Sequence, residues 1–175
     1  MDLATRITVL IQPHKVAARF IVLFVLYFAL AQGIYMLIEP HIKPVYMGIL
    51  HTRVPCKIIN IITPSKKAYT QGDKIISGSS SVVIGKGCDA TSAILLIAAA
   101  LAAFPMPFLR KIVGLLFAFA ILYLSNLIRI ISMFCVYLSR PDLFHFMHFY
   151  IGQIFIIAVG WIFFLYWIKT CRIRT

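Results

Sequence analysis

Charged residues are scarce in this sequence, and acidic ones most of all. Only five of 175 residues are Asp or Glu, and all charged residues together make up 13% of the chain. A soluble domain is about a quarter charged and about half apolar, whereas 62% of this chain is hydrophobic. The 17 Lys and Arg residues leave a net charge of +12. This composition argues against an ordinary soluble domain.

The sequence also lacks the patterns that would link its positive charge to nucleic acid or its cysteines to a metal. It has no basic stripe with interleaved aromatic residues on a soluble domain, so nucleic-acid binding is not predicted. Its four cysteines form no CxxC pair, so their spacing predicts no zinc site. We expect no cofactor, and we expect the cations to contact the anionic headgroups of a lipid bilayer.

Long uncharged stretches dominate what remains. Four apolar segments lie at about residues 20–38, 90–109, 112–138 and 149–168, and each contains at least 17 consecutive uncharged residues. About 20 apolar residues cross a bilayer core as a helix. The sequence therefore predicts an all-α integral membrane protein with about four transmembrane helices in a single domain, residues 1–175.

The first apolar segment has two interpretations. It contains Ala29-Leu30-Ala31, a small-x-small triplet of the kind that a signal peptidase accepts. Against cleavage, the apolar run continues through Ile34 to Ile38, and the basic region before it is long for a signal peptide. We favour an uncleaved membrane anchor.

The segments between the predicted spans differ in length. Residues 39–88 form a loop of 50 residues, and residues 139–148 form a short one. The first half of the long loop fits short amphipathic helices on the bilayer surface. Its second half is rich in Gly and Ser around Ser81-Val82-Val83-Ile84, which is typical of a small β-hairpin or an extended segment.

The distribution of basic residues predicts the orientation. Residues 1–19 carry three Lys or Arg, the turn 105–111 carries two, and the tail carries three, Lys169, Arg172 and Arg174. With four spans, these flanks lie on one side, which the positive-inside rule makes cytoplasmic. Seven cations in the long loop point the other way, but long loops count less in this rule. We expect a multi-pass protein of the inner or cytoplasmic membrane with both loops outside.

Two polar residues interrupt the third span. Asn126 and Arg129 are three residues apart and so share a face of a helix. An arginine in hydrocarbon is costly and usually faces a bundle interior or a polar cavity. The alternative is that Arg129 is an anchor whose side chain reaches the membrane surface.

Three residues from separate segments are predicted at the same outer depth. Cys88 opens the second span, His148 precedes the fourth, and Arg129 lies about 26 Å along the third helix at 1.5 Å per residue. A nearby cation or His lowers the pKa of a thiol, His can act as the acid for a leaving amine, and Arg can stabilise an oxyanion. This set predicts acyl transfer on a peptide bond, with Asn126, His145 and Asp89 as further binding or supporting residues.

Structural roles for the same residues remain open. Cys88 could be a small buried hydrophobe, or it could pair with Cys56 in a disulfide. His145 and His148 are three residues apart, but no third metal ligand accompanies them, so we predict no metal site. His148 could also belong to an aromatic belt at the membrane interface.

Three motifs in the second half of the chain resemble the exosortase/archaeosortase family. They are Cys88 at the start of an Ala-rich helix ending in Ala103-Phe104-Pro105, the N-x-x-R-[IV] element Asn126 to Ile130, and the H-x-x-x-G element His148 to Gly152. Their order and spacing agree with the family over about residues 85–168. Many relatives have Asn or Ser and then Gly after the cysteine, where this chain has Asp89-Ala90.

The resemblance implies a membrane-embedded cysteine transpeptidase in a compact form. Members of that family cleave exported proteins that carry a C-terminal sorting signal, and they pass the new carboxyl end to a cell-surface acceptor. Matched by motif, Cys88 would be the nucleophile, Arg129 would stabilise the oxyanion or substrate, and His148 would be the acid and base.

Two other functions remain as alternatives. A non-catalytic small membrane protein could bind or chaperone a partner within the bilayer, with Arg129 paired to a partner carboxylate. A transporter subunit is less favoured, because the four segments lack the interruptions that mark broken helices.

Overall fold

A computed structural model describes residues 3–85 and 87–172 of the chain. Two basic residues from the sequence analysis, Lys86 and Arg174, lie outside the described residues. The first half runs from helix α1 through a π-helix and α2 to a 3₁₀ turn and three strands: α1 Leu3–Lys43, Pro44–Arg53, α2 Val54–Ile62, Pro64–Lys66, β1 Tyr69–Gln71, β2 Lys74–Ser77 and β3 Ser80–Val83. The second half is helical: α3 Thr91–Ala103, α4 Phe108–Ser139, α5 Pro141–Phe146, a second π-helix Met147–Ile151 and α6 Gly152–Arg172.

Within the described residues, three continuous helical stretches are long and apolar enough to cross a membrane. They are Lys15–Ile62, Phe108–Ser139 and Pro141–Thr170. The predicted all-α membrane architecture is therefore confirmed.

The helix at the second predicted span is shorter than the apolar segment that suggested it. α3 has 13 residues and so extends about 20 Å, against about 30 Å for a bilayer core. It ends because Phe104 is extended and Pro105 and Pro107 follow, and the Lys111 ammonium donates a hydrogen bond to the carbonyl of Ala102 in its last turn. The apolar run thus includes a turn as well as a helix.

The long loop is more ordered and more buried than a surface segment. The first π-helix and α2 continue directly from α1 and bury Met47, His51, Cys56 and Ile59. The predicted hairpin is present as β2 and β3, and β1 extends it to an antiparallel sheet in the order β1-β2-β3. The sheet therefore packs onto the helices instead of extending away from them.

The short loop is also helical. α5 begins at Pro141, and the second π-helix carries the chain into α6 without a break. His148 lies in this π-helix, one turn before α6. The sequence placed a loop here because Arg140, Pro141 and Asp142 interrupt the apolar pattern, but a proline is accommodated in the first turn of a helix.

Two hydrophobic cores hold these elements together. The sheet core joins the sheet, α2 and α4 through residues such as Ile59, Ile75 and Phe134. The bundle core joins α3, α4 and α6 through residues such as Leu101, Leu122 and Ile156. Small residues at Ala99, Ala100 and Ala103 are buried on α3, which lets its neighbours approach closely. Cys88 packs against the sheet core and Ala90 belongs to the bundle core, so the segment between them joins the two.

The entry to α3 has an unusual backbone conformation. Ala90 precedes the first helical residue with φ 54° and ψ 10°, which is left-handed. A residue with a Cβ pays about 1–2 kcal/mol in this region, whereas glycine does not. The turn therefore forms with Ala90 at its second position at the cost of this strain.

We predict that Ala90→Gly leaves the stability nearly unchanged, because relief of the left-handed strain, about 1–2 kcal/mol, offsets the conformational entropy that glycine loses and the buried methyl that it removes. The midpoint of thermal unfolding of the detergent-solubilised protein should stay near that of the wild type. The matched control is Ala98→Gly within α3, which relieves no strain and should destabilise by about 0.5–1 kcal/mol or more. A fall in the midpoint for Ala90→Gly as large as that for Ala98→Gly would contradict the left-handed assignment.

Candidate active site

Cys88 and His148 meet across the gap between the sheet and α6. The Cys88 Sγ lies 3.5 Å from His148 Nε2 and 3.9 Å from Nδ1. Both side chains are half-buried. The His148 ring stacks on Phe144 at 5.6 Å between ring centroids, with an interplanar angle of 9°. This stacking holds the imidazole edge toward the sulfur, at a distance suited to proton exchange between thiol and ring.

Arg129 is hydrogen-bonded to both of the segments that carry these side chains. Its Nη1 donates to the Gly87 carbonyl at 2.9 Å, and its Nη2 donates to the His148 carbonyl at 3.4 Å. The residue is only 5% exposed, and no carboxylate contacts its guanidinium in the part of the chain that the structure describes. A buried cation held by backbone carbonyls alone stabilises negative charge that develops beside it.

Gly152 leaves room for Arg129. A Cβ built at Gly152 would lie 2.6 Å from the Arg129 Nε and 3.2 Å from the Met147 carbonyl oxygen. The glycine of the H-x-x-x-G element therefore has a physical role, because its missing side chain is the space that the arginine occupies.

Asn126 supports the segment around Cys88 from the same face of α4 as Arg129. Its Nδ2 donates to the Cys88 carbonyl at 2.8 Å, and the side chain is completely buried. Its Oδ1 has no hydrogen-bond partner among the described residues. Asn126 and Arg129 together hold the carbonyls of two successive residues, Gly87 and Cys88.

A second set of polar contacts, among Tyr46, Asp89 and Thr91, holds Asp89 and the start of α3 in place. The Tyr46 hydroxyl donates to the Asp89 carbonyl at 3.1 Å, and its oxygen lies 3.2 Å from the Thr91 hydroxyl oxygen. The Asp89 carboxylate accepts hydrogen bonds from the Thr91 hydroxyl and, at 3.4 Å, from the Thr91 backbone N–H. Tyr46 was not among the predicted site residues, because residues 41–62 were predicted to lie on the bilayer surface. Nothing in the sequence around Tyr46 indicates a hydrogen bond with Asp89, which lies 43 residues later.

The environment of Cys88 favours the neutral thiol. Burial raises the pKa of Cys88, and the Asp89 carboxylate raises it further; the Arg129 guanidinium and a backbone hydrogen bond with Gly85 act in the opposite direction. The net effect is a pKa above that of an ordinary thiol. The thiol therefore needs a base, and His148 is the base within reach.

The two side chains open into a pocket of about 250 Å³. Arg129 lies in its wall, and the remaining lining is almost entirely apolar and comes from β3 and the chain after it, α4, α5 and the second π-helix: Val82, Val83, Ile84, Ile130, Met133, Phe144 and Phe149. An apolar pocket with a few converging polar groups is the usual form of a binding or active site.

Other predicted residues lie elsewhere. His145 is exposed, stacks against Phe149 at 4.5 Å between ring centroids, and does not line the pocket. Cys56 is buried in the sheet core as a free thiol, and Cys88 is also free, so the alternative disulfide does not form. Between residues 3 and 172, apart from 86, no three His, Cys, Asp or Glu side chains group as metal ligands would.

The fold and pocket define an α-helical membrane protein in which a cysteine and a histidine share an apolar pocket with a buried arginine. A family model for transmembrane exosortases matches residues 7–166, which is most of the chain. The chain belongs to the transmembrane exosortase family, and this membership suggests a membrane transpeptidase or protease role. Among curated proteins and among solved structures, no match is found.

We predict that Gly152→Ala destabilises the protein by about 1–3 kcal/mol, because overpacking against Arg129 outweighs the better helix propensity of alanine. The midpoint of thermal unfolding should fall. Gly33→Ala is the matched control, since a Cβ at Gly33 in α1 would meet nothing within 4 Å. Equal midpoints for the two variants would show that Arg129 does not need the space at Gly152.

We also predict the pH dependence of Cys88 reactivity. In a variant with Cys88 as its only cysteine, alkylation by iodoacetamide should rise with pH through a midpoint above that of a cysteine in an unstructured peptide, because the pKa is raised and only the thiolate reacts. Arg129→Gln should move the midpoint higher still, since it removes the charge that favours the thiolate. A midpoint below the reference thiol would instead indicate a preformed ion pair with His148.

Proposed function

We propose that this protein is a membrane-embedded cysteine transpeptidase that cleaves the C-terminal sorting signal of exported proteins and transfers them to a cell-surface acceptor. The observation that carries the proposal is the 3.5 Å approach of Cys88 Sγ to His148 Nε2 in an apolar pocket walled by buried Arg129, within a chain of the exosortase family.

The first half of the reaction forms a thioester. His148 takes the thiol proton of Cys88, the sulfur attacks the scissile carbonyl carbon, and the carbonyl oxygen becomes an oxyanion. When the tetrahedral intermediate collapses, the C–N bond breaks and His148 returns the proton to the leaving amine. The products are a free C-terminal fragment and an acyl group on Cys88.

The second half regenerates the enzyme. A nucleophilic group on the acceptor attacks the thioester carbon, its proton passes to His148, and the Cys88 sulfur leaves and is protonated again. The same steps with water in place of the acceptor give hydrolysis. The apolar lining of the pocket favours transfer because it limits the access of water.

Arg129 stabilises the charged states of this cycle. Two of its five N–H donors are used by the Gly87 and His148 carbonyls, which leaves donors and a full positive charge beside the reacting atoms. Its charge favours the Cys88 thiolate, and it would favour the oxyanion for the same reason. Its hydrogen bonds also fix both catalytic segments, so Arg129 has a positioning role in addition.

The substrates that fit this site are anchored in the same membrane. The pocket is reached from the sheet and the second π-helix, which the basic flanks of the chain predict to lie outside the cytoplasm. An exported protein with a C-terminal membrane helix would present the segment before that helix at this level. We therefore propose a location in the inner or cytoplasmic membrane with the site facing outside.

The partner-binding alternative fits the geometry less well. It requires Arg129 to be available for a carboxylate of another protein within the bilayer. Arg129 instead shares its pocket with Cys88 and His148, and binding of a carboxylate would have no need for this thiol–imidazole pair.

The test is to compare exported proteins in cells that carry the wild-type chain or Cys88→Ala. Proteins with a C-terminal membrane helix should accumulate uncleaved in Cys88→Ala cells, while the variant still inserts at normal levels. The C-terminal segment of one such protein, fused to a soluble domain, then serves as a reporter for rate measurements.

Processing of this reporter should be abolished by Cys88→Ala and nearly so by Cys88→Ser, because an alcohol is far harder to ionise than a thiol. Arg129→Lys should lower the rate at least about 100-fold, since a point charge replaces the planar fork that bonds two carbonyls. His148→Ala should slow turnover about 100-fold or more while leaving reporter binding intact.

The matched controls are Cys56→Ala and Cys135→Ala, which should process the reporter within about twofold of the wild type, since neither thiol lines the pocket. The proposed function fails if no uncleaved protein accumulates, or if Cys88→Ala cleaves at the wild-type rate.

A further inference from the structure

Strand β3 has a free edge beside the pocket. Within residues 3–85 and 87–172 it pairs only with β2, in the register Lys74↔Val83, Ile75↔Val82 and Ser77↔Ser80. The Ile84 N–H bonds to the Asp73 carbonyl at 2.8 Å, so the backbone groups of Ile84 and of every second residue before it face β2. The backbone N–H and C=O of Val83 and Ser81 therefore point away from the sheet.

These outward groups have no partner among the residues that the structure describes. Among the described residues, neither Ser81 nor Val83 makes a hydrogen bond outside the β2–β3 ladder. Val83 is 51% exposed, and β3 carries no proline or charged residue that would block pairing with another strand. An open, uncharged edge of this kind is a template for an extended peptide.

The free edge leads directly to the proposed nucleophile. Val82, Val83 and Ile84 line the same pocket as Cys88 and His148. Beyond the strand, Gly87 with φ 90° bends the chain so that Cys88 lies at the end of the edge. A peptide paired along β3 would thus carry its next residues to the Cys88 sulfur.

We propose that the substrate binds by strand addition: an extended segment of the exported protein pairs with the free edge of β3, with Val83 donating and accepting the main-chain hydrogen bonds. The proposal rests on the proposed function and names how its substrate is held. Main-chain pairing gives affinity for any extended sequence.

Side-chain selection follows from the pocket walls. In a paired strand, every second side chain points to the same face. On one face of the added strand these side chains would meet Met133, Phe144 and Phe149, which are apolar or aromatic. The enzyme should therefore select apolar residues at alternate positions before the cleavage site and tolerate variety between them.

The opposite edge of the sheet offers a matched control. In β1, Tyr69 and Gln71 pair with Ile76 and Lys74, whose backbone groups face β1, so the Thr70 groups point outward. This edge lies about 10 Å from the β3 edge, two strand spacings away, and borders a different pocket lined by Pro40, Lys43 and Arg53.

The test replaces one backbone N–H at each edge. Val83→Pro removes the outward N–H of β3 without touching the β2–β3 ladder, and Thr70→Pro does the same on β1. Processing of the reporter by Val83→Pro should fall about tenfold or more, because one main-chain hydrogen bond is lost and the ring blocks the edge. Thr70→Pro should stay within about twofold of the wild type, because its edge borders the other pocket. Membrane levels and the rate of Cys88 alkylation by iodoacetamide report whether each variant folds.

A second arm changes the reporter and leaves the protein wild type. Proline is placed singly at each of the six reporter residues before the cleavage site. Strand pairing predicts that processing is lost at every second position, because only alternate N–H groups face β3. This arm tests strand addition even if Val83→Pro fails to fold, because the protein stays wild type.

Each outcome bears on the proposal. If Val83→Pro folds and processes as fast as Thr70→Pro, or if proline in the reporter acts without alternation, strand addition is wrong while the proposed function stands. If no protein accumulates uncleaved in Cys88→Ala cells, the proposed function falls, and strand addition falls with it.

Discussion

The hydrogen bonds from Arg129 to the carbonyls of Gly87 and His148 are the interaction on which the candidate site depends. A buried guanidinium is costly, and it is tolerated here because carbonyl dipoles from two distant segments surround it. Gly152 supplies the space, and Asn126 holds the adjacent Cys88 carbonyl from the same helix face. The Cys88 sulfur and the His148 imidazole are therefore held close together, because the Arg129 guanidinium binds one backbone carbonyl beside each of them.

The sequence predicted the helices best where hydrophobicity alone decides them, and worst where tertiary packing does. α4 at Phe108–Ser139 matches the predicted third span closely, because apolar length determines it. The Ala-rich helix α3 ends at Ala103, as Pro105 and Pro107 predicted, and is therefore shorter than the apolar run 90–109. The helical segment 44–62 looked like a surface element because Arg53 and Lys57 interrupt it. Its burial depends on contacts with the sheet and α4, which no local pattern encodes.

For the candidate site, the chemistry of single residues was visible in the sequence and their hydrogen bonds were not. An arginine in an apolar helix already predicts a buried polar partner, and three segments at one depth indicated where it lies. That its partners are backbone carbonyls follows only from the fold, as does the support that Tyr46 and Thr91 give to Asp89. The left-handed conformation of Ala90 after Asp89 was also not predictable, because only glycine adopts it without strain.

The central claim is that Cys88 carries the substrate as a thioester, and the most direct measurement is its mass. The reporter reaction would be quenched in acid during turnover, and the Cys88 peptide would be analysed by mass spectrometry. The account predicts an adduct equal to the reporter fragment before the cleavage site, removed by hydroxylamine as a thioester is. Reporter cleavage that proceeds with Cys88 unmodified at every time point would contradict it.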